Sequence, residues 1–450
     1  MAQFLARMDS TGESAILAGV YLDGQGTTDE PLDELAGLAE AAGVTVCGRI
    51  IQRRRKPEGA TYIGSGKLEE LKELAEANDA NLVIFDNDLA PGQTKNLETA
   101  LNIKVLDRTE LILDIFASRA RTSEARLAVE LAQLEYSLPR LKRMWTHLER
   151  QGVGGVGLRG PGEKQLEVDR RLAQKRILDL KAELQTVYLR RQREVKSRKT
   201  SRTVSLIGYT NAGKSTLLNK LTDSDVFVKD QLFATLDTRT RRWSLPGWGP
   251  VLLSDTVGFI RDLPHHLVAG FRATLEEVNQ ADLLLHVADA SCKEVNEQIS
   301  AVYNVLTELG INEKDTVLVL NKTDALSAKE TADGGQGTEE GASVSVLSVL
   351  LEKYPSAIPV SAATGFGFER LTAAVSEALS KEFCGITVTM PIGNGRLAAL
   401  LAREGEILSS RYDETSATVR CRLPKHLLGI LQREKDITID GLPQEPPPAW

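Results

Sequence analysis

Apolar and polar residues follow regular periods along the first part of the chain. Alternating or continuous apolar runs predict β-strands, whereas apolar residues three and four positions apart predict helices. We predict strands at residues 14–22, 44–51 and 81–85, and helices at residues 32–42 and 67–78. Strands that alternate with helices are typical of a sheet covered by helices. The pattern therefore predicts a small N-terminal α/β domain over residues 1–112.

Two long stretches with helical spacing follow, at residues 111–150 and 166–196. Between them, residues 152–162 contain six glycines in eleven positions, more than a turn between helices requires. We predict an antiparallel helical hairpin over residues 113–200, joined by this glycine-rich loop. Such a loop either packs against the protein or brings flexible backbone, with Arg159, close to a folded RNA surface.

The hairpin differs in charge from the rest of the chain. The 450 residues carry a formal net charge of -7, yet residues 140–202 contain eighteen Lys and Arg against seven Asp and Glu. Ordinary solvated helices would account for many such runs. Because these basic helices flank the glycine-rich loop, the pattern favours a surface that attracts an RNA phosphate backbone.

The second half of the chain again alternates predicted strands and helices. Residues 201–381 are expected to form the central domain, with a polar, glycine-rich insertion at residues 327–343. We expect this insertion to be disordered because it lacks the apolar residues needed to bury a core. The pattern of residues 382–450 predicts a small C-terminal α/β domain that ends in a loose tail.

A phosphate-binding loop is the most informative motif of the chain. It lies between an apolar run at residues 203–207 and a helical pattern that begins at Thr216. Its backbone N–H groups face phosphate oxygens, Lys214 reaches the β- and γ-phosphates, and the Ser215 hydroxyl binds Mg²⁺. The motif consists of Gly208, Tyr209, Thr210, Asn211, Ala212, Gly213, Lys214 and Ser215. The chain is therefore expected to bind a nucleoside triphosphate.

A second motif predicts the base. It follows an apolar run at residues 316–320 and consists of Asn321, Lys322, Thr323 and Asp324. The Asp324 carboxylate accepts hydrogen bonds from the N1–H and exocyclic amine of guanine, and this donor pair is missing in adenine. Two charge-assisted hydrogen bonds favour binding of guanine over adenine by more than about a hundredfold. A further segment, Ser361, Ala362 and Ala363, fits a loop behind the guanine ring, so GTP and GDP are the predicted ligands.

Two segments between these motifs are expected to respond to the γ-phosphate. One is Asp255, Thr256, Val257 and Gly258, in which Asp255 holds the Mg²⁺ shell through water and the Gly258 N–H senses the phosphate. The other is Phe233, Ala234, Thr235, Leu236 and Asp237, which must supply a hydroxyl to Mg²⁺. Thr235, Thr238 and Thr240 are candidates, and we select Thr235. Ser215 and Thr235 are thus the predicted metal ligands.

These motifs, with residues 154–163, 166–171 and 255–265, resemble the HflX family of ribosome-associated GTPases. The resemblance extends from about residue 15 to about residue 379. It implies a GTPase that binds the large (50S) ribosomal subunit and its RNA and, in bacteria, splits stalled or idle ribosomes under stress. In family members the counterparts of Thr235 and Ser215 hold Mg²⁺. The chain departs from the family at residues 238–240, where Pro-Thr-Thr is common.

Composition disfavours several other classes of protein. With 42% hydrophobic residues the chain can build real cores, yet no apolar run reaches the roughly 18 residues of a membrane span, and no signal-peptide pattern begins it. Four scattered cysteines without CxxC spacing disfavour a disulfide framework or a zinc site. We expect a monomeric cytoplasmic protein without a membrane anchor, with peripheral membrane contact left open.

Catalysis is expected to depend on Lys214, Thr235 and Gly258, with Mg²⁺ as cofactor. Many GTPases orient the attacking water with a Gln directly after the DxxG glycine, but this chain has Phe259, which cannot form that hydrogen bond. We therefore predict slow hydrolysis of GTP to GDP and phosphate by the isolated protein, and stimulation by the ribosome.

The predicted fold class is α/β, a P-loop GTPase domain with an N-terminal α/β domain, a long helical hairpin and a small C-terminal α/β domain. The predicted function is GTP hydrolysis coupled to binding of the large ribosomal subunit and to ribosome splitting. One alternative is a nucleotide-gated RNA-binding or ribosome-assembly module in which hydrolysis is incidental. A second alternative, an ATP-driven RNA-remodelling enzyme, is disfavoured by Asp324.

Overall fold

The computed structural model describes residues 12–22, 31–140, 161–197, 202–224, 232–233, 238–245, 249–261, 277–308, 310–311, 315–326, 346–380, 383–434 and 436–441. Three sheets organise these residues, two with parallel strands and one that is antiparallel throughout. The insertion predicted at residues 327–343 lies outside the described residues, as do residues 152–160 of the glycine-rich loop predicted at residues 152–162. The last two residues of that predicted loop, Pro161 and Gly162, are instead helical, because the helix that follows begins at Pro161.

The N-terminal domain is a parallel four-stranded sheet with helices on both faces. Its strands are β1 (Ser14–Leu22), β2 (Thr45–Arg54), β3 (Leu82–Phe85) and β4 (Lys104–Asp107), in the order β2-β1-β3-β4. Its helices are α1 (Asp33–Ala41), α2 (Ser65–Ala77), α3 (Pro91–Leu101) and α4 (Arg108–Arg119). Helices α1 and α4 pack with Leu17 and Ile84, and α2 and α3 pack with Ile16 and Phe85 on the other face. The predicted strands and helices are confirmed, whereas α3 was not predicted.

The helix predicted from residue 111 to residue 150 is wrong in one respect, because the chain breaks it after α4. Ala120 is extended (φ -66°, ψ 105°), and Thr122 caps the next helix by accepting a hydrogen bond from the Ala125 N–H at 3.1 Å. This helix is α5 (Ser123–Ser137), followed by a 3₁₀ turn (Leu138–Arg140). A local cap that satisfies the free N–H groups favours a new start over one continuous helix.

The long helix α6 (Pro161–Ser197) packs against α5 in the opposite direction. Leu131 and Leu134 of α5 contact Ile177 and Leu180 of α6 in a small apolar cluster. Arg190 pairs with Glu124, and Lys181 pairs with Glu135. Residue numbers therefore increase along one helix as they decrease along the other, so the two helices are antiparallel. The antiparallel pairing predicted for the hairpin is confirmed over these residues.

The central domain contains a six-stranded sheet in the order β10-β9-β8-β5-β7-β6. The strands are β5 (Thr203–Gly208), β6 (Arg239–Leu245), β7 (Gly249–Asp255), β8 (Leu283–Asp289), β9 (Thr316–Asn321) and β10 (Ile358–Pro359). The helices are α7 (Lys214–Leu221), α8 (Val295–Glu308), α9 (Val346–Lys353) and α10 (Phe368–Ser380). All paired neighbours are parallel except β6 and β7. The carboxyl ends of the parallel strands therefore meet at one edge, where ligands bind in such sheets.

The C-terminal domain is an antiparallel sheet in the order β12-β13-β11-β14. Its elements are β11 (Phe383–Pro391), α11 (Gly395–Glu404), β12 (Glu406–Tyr412), β13 (Ser416–Pro424), α12 (Lys425–Leu431) and β14 (Thr438–Asp440). Leu401 and Leu431 of the helices pack with Val388 and Cys421 of the sheet. Strands and helices are both present here, as the prediction of an α/β domain requires.

The N-terminal and central domains share one apolar core. Leu35 and Phe116, from α1 and α4, belong to the same buried cluster as Tyr209, Phe233 and Phe259 of the central domain. The rings of Phe116 and Phe233 meet edge to face with centroids 4.6 Å apart. The central domain therefore covers the face of the N-terminal sheet that carries α1 and α4.

Candidate functional site

The predicted phosphate loop connects the end of β5 to the start of α7. Gly208 (φ +146°) and Gly213 (φ +90°) adopt backbone conformations that L side chains rarely adopt. A Cβ atom would collide with the Val287 carbonyl oxygen at the first position and with the Asn321 amide at the second. Both glycines are therefore required by the close approach of neighbouring strands, and the loop turns back over the N-terminus of α7.

Lys214 is buried and its ammonium group lies at the centre of this loop. Nζ donates hydrogen bonds to the carbonyl oxygens of Gly208 at 3.0 Å and Tyr209 at 2.8 Å. Burial lowers the pKa of Lys214 to about 8, and the Asp255 charge opposes this shift. A phosphate anion beside Nζ would favour the charged form, so the position suits a bound polyphosphate.

Ser215 and Asp255 bring two oxygen ligands together beside Lys214. The Ser215 hydroxyl donates to Oδ2 of Asp255 at 2.5 Å, and Asp255 is fully buried at the end of β7. Hydroxyl and carboxylate oxygens are ligands that suit Mg²⁺, which usually keeps several waters and phosphate oxygens as its other ligands. The described residues hold no cluster of three or more His, Cys, Asp and Glu that could bind a metal unaided. These two side chains therefore fit Mg²⁺ bound together with a nucleotide.

The predicted guanine motif is joined to the phosphate loop by Asn321. Its Nδ2 donates to the Ala212 carbonyl oxygen at 2.8 Å, and its Oδ1 accepts from the Ala362 N–H at 2.9 Å. Asp324 is held in turn by Ser361, whose hydroxyl donates to Oδ1 at 2.6 Å. One carboxylate oxygen is thereby oriented by the protein, and the carboxylate lies beside the loop expected behind the guanine ring.

The other two residues of the guanine motif support its loop. Lys322 has a left-handed backbone (φ 62°) and its Nζ pairs with Asp289 at 2.7 Å. The hydroxyl of Thr323 donates to the Val360 carbonyl oxygen at 3.1 Å. Ala363 is exposed next to the buried Ala362. The structure thus brings residues 321–324 and 361–363 together at the carboxyl ends of β9 and β10.

The DxxG segment lies directly on the phosphate loop. A Cβ atom at Gly258 would stand 2.8 Å from Cγ2 of Thr210 and 3.0 Å from Nζ of Lys214. Phe259 extends the pairing of β7 along the loop, because the Thr210 N–H donates to its carbonyl oxygen at 2.7 Å and its N–H donates to the Gly208 oxygen at 3.1 Å. Thr256 is buried, and its hydroxyl donates to the carbonyl oxygen of Leu206. Val257 is also buried.

Phe259 and His286 are both unsuited to activating a water molecule. Phe259 is 2% exposed and packs in the core shared with the N-terminal domain. Burial and the nearby Lys214 charge lower the pKa of His286 to about 3, and its ring is 1% exposed on β8. Neither side chain can orient an attacking water from where it lies.

The remaining predicted segment is described only at its first residue. Phe233 has a left-handed backbone (φ 56°) and its ring is buried against the N-terminal domain. Ala234, Thr235, Leu236 and Asp237 lie outside the described residues. The choice of Thr235 as a metal ligand therefore stays a prediction.

A group of charged residues behind the phosphate loop was not predicted from the sequence. Arg261 follows the DxxG segment, and Glu34, Asp86 and Arg108 belong to the N-terminal domain. Their ion pairs join the two domains beside Tyr209. Each residue alone is an ordinary charged residue, so only the fold reveals the cluster.

Three protein families match successive parts of the chain. Residues 29–117 match "GTP-binding GTPase N-terminal", residues 119–198 match "GTP-binding GTPase Middle Region", and residues 203–322 match "50S ribosome-binding GTPase". Within the described residues, no helix is both long and apolar enough to cross a membrane.

Curated relatives and a solved structure are similar over most of the chain. The GTPase HflX of Escherichia coli (strain K12) is 45% identical over 92% of this chain and 94% of its own length. The GTPase HflX of Lacrimispora saccharolytica is 41% identical over 96% of this chain and 98% of its own. A GTP-binding protein from the archaeon Sulfolobus solfataricus, solved with GDP, is 24% identical, with a TM-score of 0.42 over 82% of this chain and 99% of its own. With this identity over nearly the full length of its relatives, the chain belongs to the HflX family of GTPases.

Proposed function

We propose that this GTPase binds GTP and Mg²⁺ at the carboxyl edge of the central sheet and uses the nucleotide cycle to associate with the large ribosomal subunit and split ribosomes. The main observation that supports this nucleotide site is the position of Asn321, which hydrogen-bonds both to the phosphate loop and to the loop expected behind the guanine ring. A single buried side chain would thereby hold the loop for the phosphates at a fixed distance from the loop for the base.

Each contact that GTP binding requires would be made by a residue of the predicted motifs. The Asp324 carboxylate would accept from guanine, Lys214 would meet the β- and γ-phosphates, and Ser215 with Thr235 would bind Mg²⁺, with Asp255 acting through water. Bound Mg²⁺ would neutralise charge that develops on the phosphates. Gly258 would present its N–H to the γ-phosphate. We assign no side-chain general base within the chain.

The buried position of Phe259 supports stimulation by a partner. A ring that is 2% exposed can neither orient water nor be replaced by a nearby polar group without repacking. The missing contribution would come from the ribosome, which would make hydrolysis slow in the isolated protein. GTP hydrolysis would then act as a timer for the bound state.

The basic face of α6 supports contact with ribosomal RNA. Arg170, Lys175 and Arg193 are exposed along this helix, and Arg171 is 76% exposed beside Glu167. RNA phosphates are the ligand that several separated cations would meet at once, and counterion release would make such binding depend on salt. The family that matches residues 203–322, described as "50S ribosome-binding GTPase", supports this choice of partner.

The test is co-sedimentation with 50S, 30S and 70S particles in the presence of GDP or a non-hydrolysable GTP analogue. We expect binding to 50S that is stronger with the analogue and falls steeply with potassium concentration, together with loss of 70S particles. A variant with residues 152–162 shortened to a minimal turn should keep GTP binding and lose ribosome-stimulated hydrolysis. The double change Arg170→Glu and Lys175→Glu should weaken 50S binding, with Arg433→Glu on the C-terminal domain as the control.

The outcomes separate the two readings of the function. Stimulated turnover and loss of 70S particles would support the splitting proposal. Binding to 50S without any stimulation of GTP turnover would instead favour the RNA-binding or assembly module. Full stimulation of the shortened-loop variant would rule out an RNA-contacting role for residues 152–162.

A further inference from the structure

Thr210 lies in the phosphate loop, and its hydroxyl is buried without a hydrogen-bond partner. The residue is 6% exposed, and no described residue donates to or accepts from its Oγ1. Two other buried threonines of the site show the usual arrangement. The hydroxyl of Thr256 donates to the Leu206 carbonyl oxygen at 2.7 Å, and that of Thr323 donates to the Val360 carbonyl oxygen at 3.1 Å. Because buried hydroxyls normally have a partner, the Thr210 hydroxyl requires an explanation.

The carbonyl oxygens that precede Thr210 in the loop are already occupied by other donors. Nζ of Lys214 donates to those of Gly208 and Tyr209, at 3.0 Å and 2.8 Å. Each of these two oxygens also accepts from a backbone N–H, at 3.1 Å and 3.3 Å respectively. A carbonyl oxygen has two lone pairs, so neither has one left for the hydroxyl. An oxygen-rich ligand would supply the acceptor that the hydroxyl lacks.

Thr210 lies against the DxxG segment. Its backbone N–H donates to the Phe259 carbonyl oxygen at 2.7 Å. Its Cγ2 atom and Nζ of Lys214 lie on the same side of Gly258, because both are within 3.0 Å of the point to which a side chain at that position would extend. The N–H of Thr210 is thus used within the protein, and the hydroxyl is the group left to meet a phosphate.

The neighbours of the Thr210 side chain select the γ-phosphate among the three. In P-loop GTPases the lysine of the loop meets the β- and γ-phosphates, and the DxxG glycine responds to the γ-phosphate. The β-phosphate lies within the loop, against its backbone N–H groups. A side chain beside both Lys214 and Gly258 is therefore placed for the terminal phosphate, and its hydroxyl would form a charge-assisted hydrogen bond with an oxygen of that group.

We propose that Thr210 determines the specificity of the site for the triphosphate, with its hydroxyl donating a hydrogen bond to a γ-phosphate oxygen. GDP has no γ-phosphate, so the hydroxyl gains no partner in the diphosphate complex. Only the triphosphate complex gains this bond. The inference rests on the proposed nucleotide site and adds a side-chain contact to the phosphate contacts assigned there.

The test compares Thr210→Val, Thr210→Ser and Thr372→Val in the full-length protein. Valine has nearly the shape of threonine but lacks the hydroxyl, whereas serine keeps it. Thr372 is the matched control, because its hydroxyl donates to the Phe368 carbonyl oxygen within α10, outside the predicted motifs. The dissociation constants of GDP and of a non-hydrolysable GTP analogue are measured for each protein, together with the unfolding temperature of each protein without nucleotide.

We expect Thr210→Val to weaken binding of the GTP analogue by about tenfold or more, the value of one hydrogen bond to a charged group, and to leave GDP binding unchanged. Its unfolding temperature without nucleotide should equal or exceed that of the parent, because a buried hydroxyl without a partner adds no stability. Thr210→Ser should restore the parent ratio of the two dissociation constants, and Thr372→Val should keep it.

An unchanged ratio in Thr210→Val would overturn the proposal, and so would an equal loss of affinity for both nucleotides or the same shift in Thr372→Val. A lower unfolding temperature of Thr210→Val without nucleotide would also overturn it, since the hydroxyl would then have a structural partner within the chain. Failure of the parent protein to bind either nucleotide would instead refute the nucleotide site itself, an outcome distinct from failure of the Thr210 contact.

Discussion

The two ends of the nucleotide site are built in different ways. At the guanine end, Asn321, Asp324 and Ser361 are held by hydrogen bonds within the central domain. At the switch end, Arg261 and Phe259 are held by the N-terminal domain, through ion pairs and a shared apolar core. The proposed guanine-binding residues are therefore held by their own domain alone, whereas the position of the DxxG segment depends on a second domain.

This difference separates the specificity for the base, which stays constant, from the rate of hydrolysis, which can be regulated. A base-binding loop that depends only on its own domain keeps its specificity whatever the other domains do. A switch segment packed between domains is expected to change its position when their contact changes, so a change at this contact would affect hydrolysis without touching the nucleotide. Four substitutions test how completely the two ends are separated.

The largest effect is expected at the phosphate loop, which both ends share. Lys214→Ala removes charge-assisted contacts to two phosphates and should weaken binding of a GTP analogue by about a thousandfold. Lys220→Ala, an exposed residue of the same helix, is the control and should bind normally. Titration with a fluorescent GTP analogue measures both. Binding within tenfold of the parent would show that Lys214 does not contact the phosphates.

The next largest effect should be confined to the guanine end. Asp324→Asn replaces an acceptor pair with one acceptor and one donor, which disfavours guanine and matches the N1–H and 2-oxo group of xanthine. We expect the preference for GDP over xanthosine diphosphate to fall by about a hundredfold. Competition titrations measure this preference, and Asp315→Asn, an exposed residue before β9, serves as control. Tighter or unchanged GDP binding would refute the assignment of Asp324.

A third substitution, at the switch end, is expected to change the stability of the folded protein more than its affinity for nucleotide. Phe259→Gln places an amide in the core shared by the two domains and should lower the free energy of unfolding by about 3 kcal/mol. Hydrolysis should not become faster, because the pocket around the ring has no place for an amide to orient water. Denaturant unfolding and single-turnover hydrolysis check both statements. Faster hydrolysis with unchanged stability would mean that this side chain faces the nucleotide.

The smallest effect concerns the support of the guanine contact. Ser361→Ala removes the hydrogen bond at 2.6 Å that orients Asp324 and should weaken GDP binding by about fivefold, close to the value of one hydrogen bond. The ratio of GTP-analogue to GDP affinity should stay constant, because the switch end is untouched. Ser380→Ala, on the exposed end of α10, is the control. A changed ratio would mean that the two ends are coupled through this loop.

The sequence predicted the guanine end more completely than the switch end, and the reason is physical. Residues 208–215 and 321–324 each begin at the last residue of a strand, so their proposed roles depend on a few neighbouring positions. The hydrogen bonds and ion pairs between the domains join residues that are far apart in the chain, with Glu34 and Tyr209 separated by 175 positions. No local period or motif marks two ordinary charged residues that meet only when two domains dock.

The errors in the predicted elements also come from local competition. Apolar spacing continues through residues 111–137, but Thr122 offers a capping hydroxyl that starts a new helix. Helix α3 begins at Pro91, a residue suited to the first helical turn, and its apolar face is short. Strand β14 has three residues, too few to show a period. Helix caps and short strand pairings determine where short elements form, whereas the apolar period determines the long helices and strands.

The core shared by the two domains also constrains how the chain is synthesised. The apolar faces of α1 and α4 emerge from the ribosome well before the strand that ends at Asp255 and the residues 257–260 that cover them. Until roughly another hundred residues have been added after α5, helices α1 and α4 present an uncovered apolar surface to the cell. Its last folding step thus waits for the central domain, and a fragment ending near residue 140 would be prone to aggregate.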